Sequence, residues 1–167
     1  MLRDGEVAGC ISTQERPLQG CRSERLGRMT YGLVATPQAA ARWFPKGVTP
    51  EAVEKAPAVI FNRADTLHER LLERAIGGAR APIPTHWIPS PEKFADALLM
   101  GLGYGMLPRQ QSAAHLEAGR LVDLAPAHKV PVDLYWQCWN LKSPWLETFT
   151  RQLVAGARGL LGGGNAR

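Results

Sequence analysis

With 167 residues and 45% apolar content, the chain is long enough for one ordinary domain or two small lobes with a real core. No apolar run approaches the ~20 residues needed to cross a bilayer, and the opening MLRDGEVAG lacks the apolar stretch of a secretory signal, so a cytoplasmic address and no membrane partner are expected. The net charge of +5 would suit a polyanion, yet Lys and Arg alternate with Asp and Glu along most of the chain, as on a solvated surface. Cys10, Cys21 and Cys138 are odd in number and lack CxxC or CxxH spacing, so they read as buried thiols, with neither a disulfide framework nor a zinc site.

In chain order, VAGCIST (7–13) reads as a short buried strand followed by a polar loop through Gly20. A second strand falls within Leu26 to Thr36, where TYGLVAT carries Leu33, Val34 and Ala35. Gln38 to Phe44 allows a helical turn or two, and Pro45, Gly47 and Pro50 mark a connection. EAVEKA is a short helix and PAVIFN (57–62) an apolar strand. Thr66 followed by Glu69 forms a capping-box pattern for a helix whose Leu67, Leu71, Leu72, Ala75 and Ile76 share a face before Gly77 and Gly78 end it. Residues 83–89 make a weaker strand, interrupted by prolines.

Residues 90–124 are the most informative. Ser90 can cap a helix, Pro91 fits its first position, and Phe94, Leu98, Leu99 and Leu102 recur at helical spacing. Gly101, Gly103 and Gly105 stop it, Tyr104 to Leu107 forms a buried strand closed by Pro108, and a helix and an edge strand follow. VPVDLYWQCW (130–139) alternates in part, as a half-exposed strand does. Trp145, Phe149, Leu153, Ala157 and Leu160 or Leu161 then line a final amphipathic helix, with Glu147 and Arg151 at i,i+4. Strands alternating with helices imply a mostly parallel sheet.

These words resemble the effector-binding half of LysR-type transcriptional regulators. Helix, LGYGMLP and GRLVDL are general to that family. Within LRDGEVAGCISTQ and the PLQGCRSERLGRMTYGLVAT that follows, GCISTQ with the later GC pair is more specifically similar to its arginine- and lysine-responsive branch, also described as chromosome replication initiation inhibitors. The resemblance runs from about Leu2 to Leu161 and implies an α/β fold of two Rossmann-like lobes of periplasmic-binding-protein type, joined by two crossover strands. Residues 1–48 and 126–161 would form an incomplete first lobe, 49–125 the second, and 162–167 a disordered tail. The family's N-terminal winged helix-turn-helix is expected to be missing from this chain, so promoter DNA would be reached only through that absent part. A small effector in the cleft between lobes and a homodimer or homotetramer are further implications.

In open α/β sheets small molecules bind beyond the carboxyl ends of strands. The loops answering that description run from Ser12 to Glu15, from Asn62 to Thr66 and from Pro89 to Glu92. Ser12, Thr13, Gln14, Asn62 and Ser90 offer neutral hydrogen bonds, and the N–H groups opening the Ser90 helix favour a carboxylate. For the cationic end of lysine or arginine, Asp65 is the first choice, with Glu15 and Glu92 behind it. Each has a plainer role: Ser90 as a cap alone, Asp65 as helix-terminus charge compensation, Ser12 and Thr13 as strand-end hydrogen bonding.

Three other readings are set aside. The glycines at 101, 103 and 105 follow a helix, and Met106 stands where a dinucleotide loop needs its third glycine. His68, His86, His115 and His128 lack ligand spacing and read as surface or satisfied core residues, and the five tryptophans fall on several elements and read as core and lobe-interface filling. No nucleophile, base and orienter can be assembled, so neither enzyme activity nor a cofactor is expected. The expectation is therefore a non-catalytic sensor of a basic amino acid, against a free-standing amino-acid-binding module or an inactive truncated fragment.

Overall fold

The computed structural model describes residues 2–79 and 81–161; the tail expected to be disordered at 162–167 lies outside them. Among the described residues, seven strands, β1 (Gly9–Ser12), β2 (Cys21–Ala35), β3 (Ala58–Ile60), β4 (Thr85–Trp87), β5 (Tyr104–Pro108), β6 (Val122–Asp123) and β7 (Val130–Trp139), are interspersed with helices α1 (Pro37–Trp43), α2 (Pro50–Val53), α3 (Leu67–Ile76), α4 (Pro91–Leu99), α5 (Arg109–Glu117) and α6 (Pro144–Leu161).

A hydroxyl followed by proline opens most of these helices. Thr36 accepts from Ala39 N (3.2 Å), Thr49 from Ala52 N (3.2 Å), Ser90 from Lys93 N (3.4 Å) and Ser143 from Leu146 N (3.4 Å), each with proline at the next position, where no N–H is needed. Helix α3 departs from the expected capping box. Thr66 makes no side-chain cap, and the carboxylate of Asp65 accepts from Leu67 N at 2.9 Å instead.

The chain forms two compact units. One, the central unit, is Thr30–Val130; the other, the terminal unit, takes the described residues up to Met29 together with those from Pro131 onward. Residues 30–48 thus pack with the central unit. Strands run in the order β2-β5-β3-β4 in the central unit, with β6 also on β2, and β1-β7-β2 in the terminal unit.

The sheet is mixed, contrary to the mostly parallel arrangement the alternation implies. β3 is parallel to β4 and β5, whereas β2 is antiparallel to β5 and β6, and β1 to β7. The parallel pairs are those joined by the α3 and α4 crossovers. At fifteen residues, β2 also starts earlier than expected and supplies antiparallel pairing instead of another crossover.

In the central unit every residue of β5 is buried. Val34, Val59, Phe94, Ala97, Leu98, Leu107 and Leu121 form one core cluster. Tyr104 meets Phe44 edge-on at 5.1 Å and His68 at 5.7 Å. Gly103 is required here by close approach: a Cβ at that position would stand 2.0 Å from the Pro57 carbonyl oxygen, which accepts from Tyr104 N. Helix α4 ends at Leu99, so Leu102, expected on its buried face, is 39% exposed.

In the terminal unit, Leu26, Trp136, Cys138, Leu146 and Val154 form the core. The buried face of α6 is turned by one position from the expected one: Leu146, Thr150 and Val154 face inward, while Trp145 is 68% exposed and stacks on Phe149. The decisive partner is polar, since buried Trp136 donates its indole N–H to Thr150 Oγ1 at 2.9 Å. The expected Glu147–Arg151 pair is replaced by a contact from Arg151 to Thr148 Oγ1 at 3.4 Å. Two further sequence expectations need correction. Cys10 and Cys21 are half-buried, with only Cys138 fully buried, and of the tryptophans only Trp136 is fully buried.

Candidate functional site

In the central unit, β3 and β4 lie side by side and run in the same direction, with Ile60 opposite Trp87 and Ile88 N bonded to Ile60 O at 3.0 Å. The loops leaving their carboxyl ends are therefore neighbours, and they carry Asn62, Asp65, Ser90 and Glu92. This is where an open parallel array exposes N–H groups and helix starts to a ligand.

The first loop is built by side chains that bond their own backbone. Asn62 Oδ1 accepts from Ala64 N at 2.8 Å, Asn62 O accepts from Asp65 N at 3.1 Å, and Asp65 Oδ1 caps α3. One carboxylate oxygen of Asp65 is thus committed to the helix, and Oδ2 has no hydrogen-bond partner among the described residues. In the second loop Ser90 caps α4 and donates to Glu92 Oε2 at 3.1 Å. The hydroxyl is engaged twice locally, which leaves the backbone N–H groups of the first turn as the anion-facing feature.

Ser12, Thr13 and Gln14 lie in the terminal unit on the loop that leaves β1. Ser12 Oγ accepts from Gln14 N at 3.0 Å, and the side chain of Gln137, buried at 2% exposure, donates to Gln14 O at 2.7 Å. Thr13 is exposed. Gln137 pins this loop, and no local pattern marks it because the contact spans 123 positions.

Tyr31 was also not apparent from the sequence. It pairs with Pro108 at the carboxyl end of β5, and burial, then the Asp65 charge, raises its phenol above the ordinary value. The start of α5 at Arg109 belongs to the same end of the array, with no side-chain cap on its first N–H groups. The signal for the α5 start was LGYGMLP running directly into a helix.

His68 corrects a further expectation. It is a core histidine but not a satisfied one: at 2% exposure, neither ring nitrogen has a hydrogen-bond partner. Burial pulls its pKa down to about 4, opposed in part by Asp65, so the ring is neutral near pH 7. Among the described residues no three His, Cys, Asp or Glu side chains converge as metal ligands, and no helix is long and apolar enough to cross a membrane.

A model of the LysR substrate binding domain matches residues 1–158. The chain belongs to the LysR substrate-binding domain family. The HTH-type transcriptional regulator LysG of Mycobacterium tuberculosis is 38% identical over 167 residues, all of this chain and 54% of that protein. The crystal structure of ArgP from Mycobacterium tuberculosis superposes with a TM-score of 0.90 at 39% identity, covering 97% of this chain and 55% of that one. Full-length LysG from Corynebacterium glutamicum with bound effector Arg gives a TM-score of 0.85 at 31% identity, covering 96% and 54%.

This LysR-family chain therefore spans about half the length of the curated relatives it matches. Its α/β fold is that of LysR-type regulatory domains, as the resemblance implied. The relatives bear the names of transcriptional regulators and not of enzymes, in keeping with the non-catalytic reading of the residues.

Proposed function

We propose that this chain is the effector-sensing domain of a LysR-type DNA-binding transcriptional regulator and that its effector is a basic amino acid, lysine or arginine. One observation carries the reading: the matching LysG structure is one with Arg bound as effector. The local chemistry supports it. The first-turn N–H groups of α4 suit an α-carboxylate, and the adjacent loop presents Asp65, whose Oδ2 suits a guanidinium or ammonium. Asn62, Ser90 and Glu92 complete that set, with Ser12, Thr13 and Gln14 as further ligand contacts.

Sensing needs no bond chemistry. An effector that prefers one conformation shifts the population toward it, and the shift is passed to the DNA-binding part of the intact regulator. A homodimer or homotetramer in the cytoplasm is the form in which this reading places it.

Calorimetry with lysine and arginine tests the reading. Saturable binding is expected, and Asp65→Ala should weaken the cationic ligands by about 10- to 100-fold, the worth of a hydrogen bond to a charged group, while affecting norleucine little. A demonstrably folded sample that gives no heat with either amino acid overturns the proposal. Equal losses for arginine and norleucine would reassign the acceptor.

A further inference from the structure

The strand order of the terminal unit ends at β1, which among the described residues pairs only with β7. In an antiparallel pair, residues that bond the neighbouring strand alternate with residues whose backbone groups turn away from it. Trp139 N donates to Ala8 O at 3.2 Å, so Ala8 and Cys10 face β7, and the N–H and C=O groups of Gly9 and Ile11 point to the outer side. Open edges recruit other strands and are normally blunted by charge, proline or a bulge. The outermost strand of the central unit is guarded in that way, with β4 lying between Pro84 and Pro89. The GCIS of β1 holds neither charge nor proline.

Side chains add an independent observation. Ile11 stands opposite Trp136, so both lie on the sheet face covered by α6, where the Trp136 indole bonds Thr150 and its ring meets Phe149 at 5.5 Å. Helix α6 buries Trp136 but leaves Ile11, one strand further out, exposed, and Phe149 stacks in the open on Trp145 at 5.6 Å. Apolar surface therefore continues past the last strand. A further strand on β1 would carry the sheet outward, and a helix packed on that strand beside α6 would cover Ile11, Phe149 and Trp145.

Length identifies the occupant. The C-terminal domains of a LysR-family protein from Agrobacterium tumefaciens match 96% of this chain with a TM-score of 0.91 at 41% identity, yet only 77% of that chain is covered. The unmatched part is longer than β1 and α6 together, enough for a strand and a helix. We infer that the open edge of β1 and the Ile11, Phe149 and Trp145 face are the docking surface for this part of a LysR-type regulatory domain, which adds a strand to the edge and an apolar helix to the face. Backbone pairing supplies the affinity and the three apolar side chains the selectivity. The contact lies within the terminal unit and is independent of the effector.

The probe is the unmatched segment of the Agrobacterium domain, added to the ¹⁵N-labelled full chain either free or tethered by a flexible linker. Hydrogen exchange at the Gly9 and Ile11 amides should slow by about tenfold or more, and the Trp145 indole N–H resonance should move with the same saturation. Ile11→Lys, at an exposed position, should weaken the free segment by about tenfold or more and Trp145→Ser by several-fold. Trp87→Ser, in the central unit, should leave binding unchanged.

Absence of protection at Gly9 and Ile11 in both formats overturns the inference, as does unchanged binding in Ile11→Lys. Sedimentation of the chain alone tests the rival occupant. A dimer that Ile11→Lys dissociates and the segment fails to displace would assign the surface to a second copy, and so also overturns it.

Discussion

The central and terminal units are made of the same kinds of residue yet bury them very differently. In the central unit β5 is covered on both faces: Gly105 is packed under Leu98 of α4, and Tyr104 meets His68 of α3 on the other side. In the terminal unit, Ile11, Trp145 and Phe149 are 57%, 68% and 41% exposed, although each looks like a core residue by type. Two-sided cover, more than apolar content, decides where stability concentrates.

The sharpest way to break this contrast is at Gly103. Gly103→Ala should cost about 3 kcal/mol or more, because its methyl group would displace the Pro57 carbonyl inside a well-packed region. Gly119→Ala, where φ is +67° and the space is open, should cost only about 1 kcal/mol. Thermal melts of both variants decide it, and equal losses would remove close approach as the reason for glycine at 103.

Hydrogen exchange sharpens the comparison further. Amides of β3 and β5 should exchange only through the largest openings, and those of β1 through smaller, local ones. Comparable protection in β1 and β5 would show that exposed apolar residues do not mark the weaker unit.

Acid exposes a smaller effect in each unit. Unfolded histidine binds its proton at 6.5, whereas buried His68 does so at about 4. The unfolded chain therefore takes up the proton first as pH falls, and the central unit loses stability between about 6.5 and 4 before levelling off. His68→Leu should remove that slope in denaturant titrations and raise stability at pH 5. The terminal unit has the opposite kind of group. Hydrogen bonds from Arg28 and then Arg25 hold the Asp133 carboxyl at about 2, so its contribution is complete above 3.8 and disappears as pH falls towards 2. Asp133→Asn should flatten that low window alone.

Much of this architecture was legible in residues 30–130, where α1, α2 and α4 start with a hydroxyl followed by proline, α3 starts after an acid, and the buried strands β3 and β5 are short apolar runs. The capping side chain of α3 was misplaced by one residue, on Thr66 instead of Asp65, because both fit the pattern, and the backbone at Thr66, φ −102° and ψ 9°, leaves its hydroxyl without a cap bond. The phase of α6 was misread because two aromatic side chains outweighed a threonine, yet Thr150 holds the inward position through its bond to Trp136. At the ligand loops, the sequence pointed to Asn62, Asp65, Ser90 and Glu92 by their place after strands. It could not find Gln137 or Tyr31, whose relation to those loops comes from strand pairing across distant positions.

The uneven cover of the tryptophans has a spectroscopic consequence. Trp136, at 7% exposure, sits in an apolar cage and will emit at short wavelength, shielded from collisional quenchers, whereas Trp145 and Trp87 emit to the red and are quenched readily. Because Trp87 belongs to the Thr30–Val130 unit and Trp136 and Trp145 to the other, single-tryptophan variants give each unit its own optical reporter.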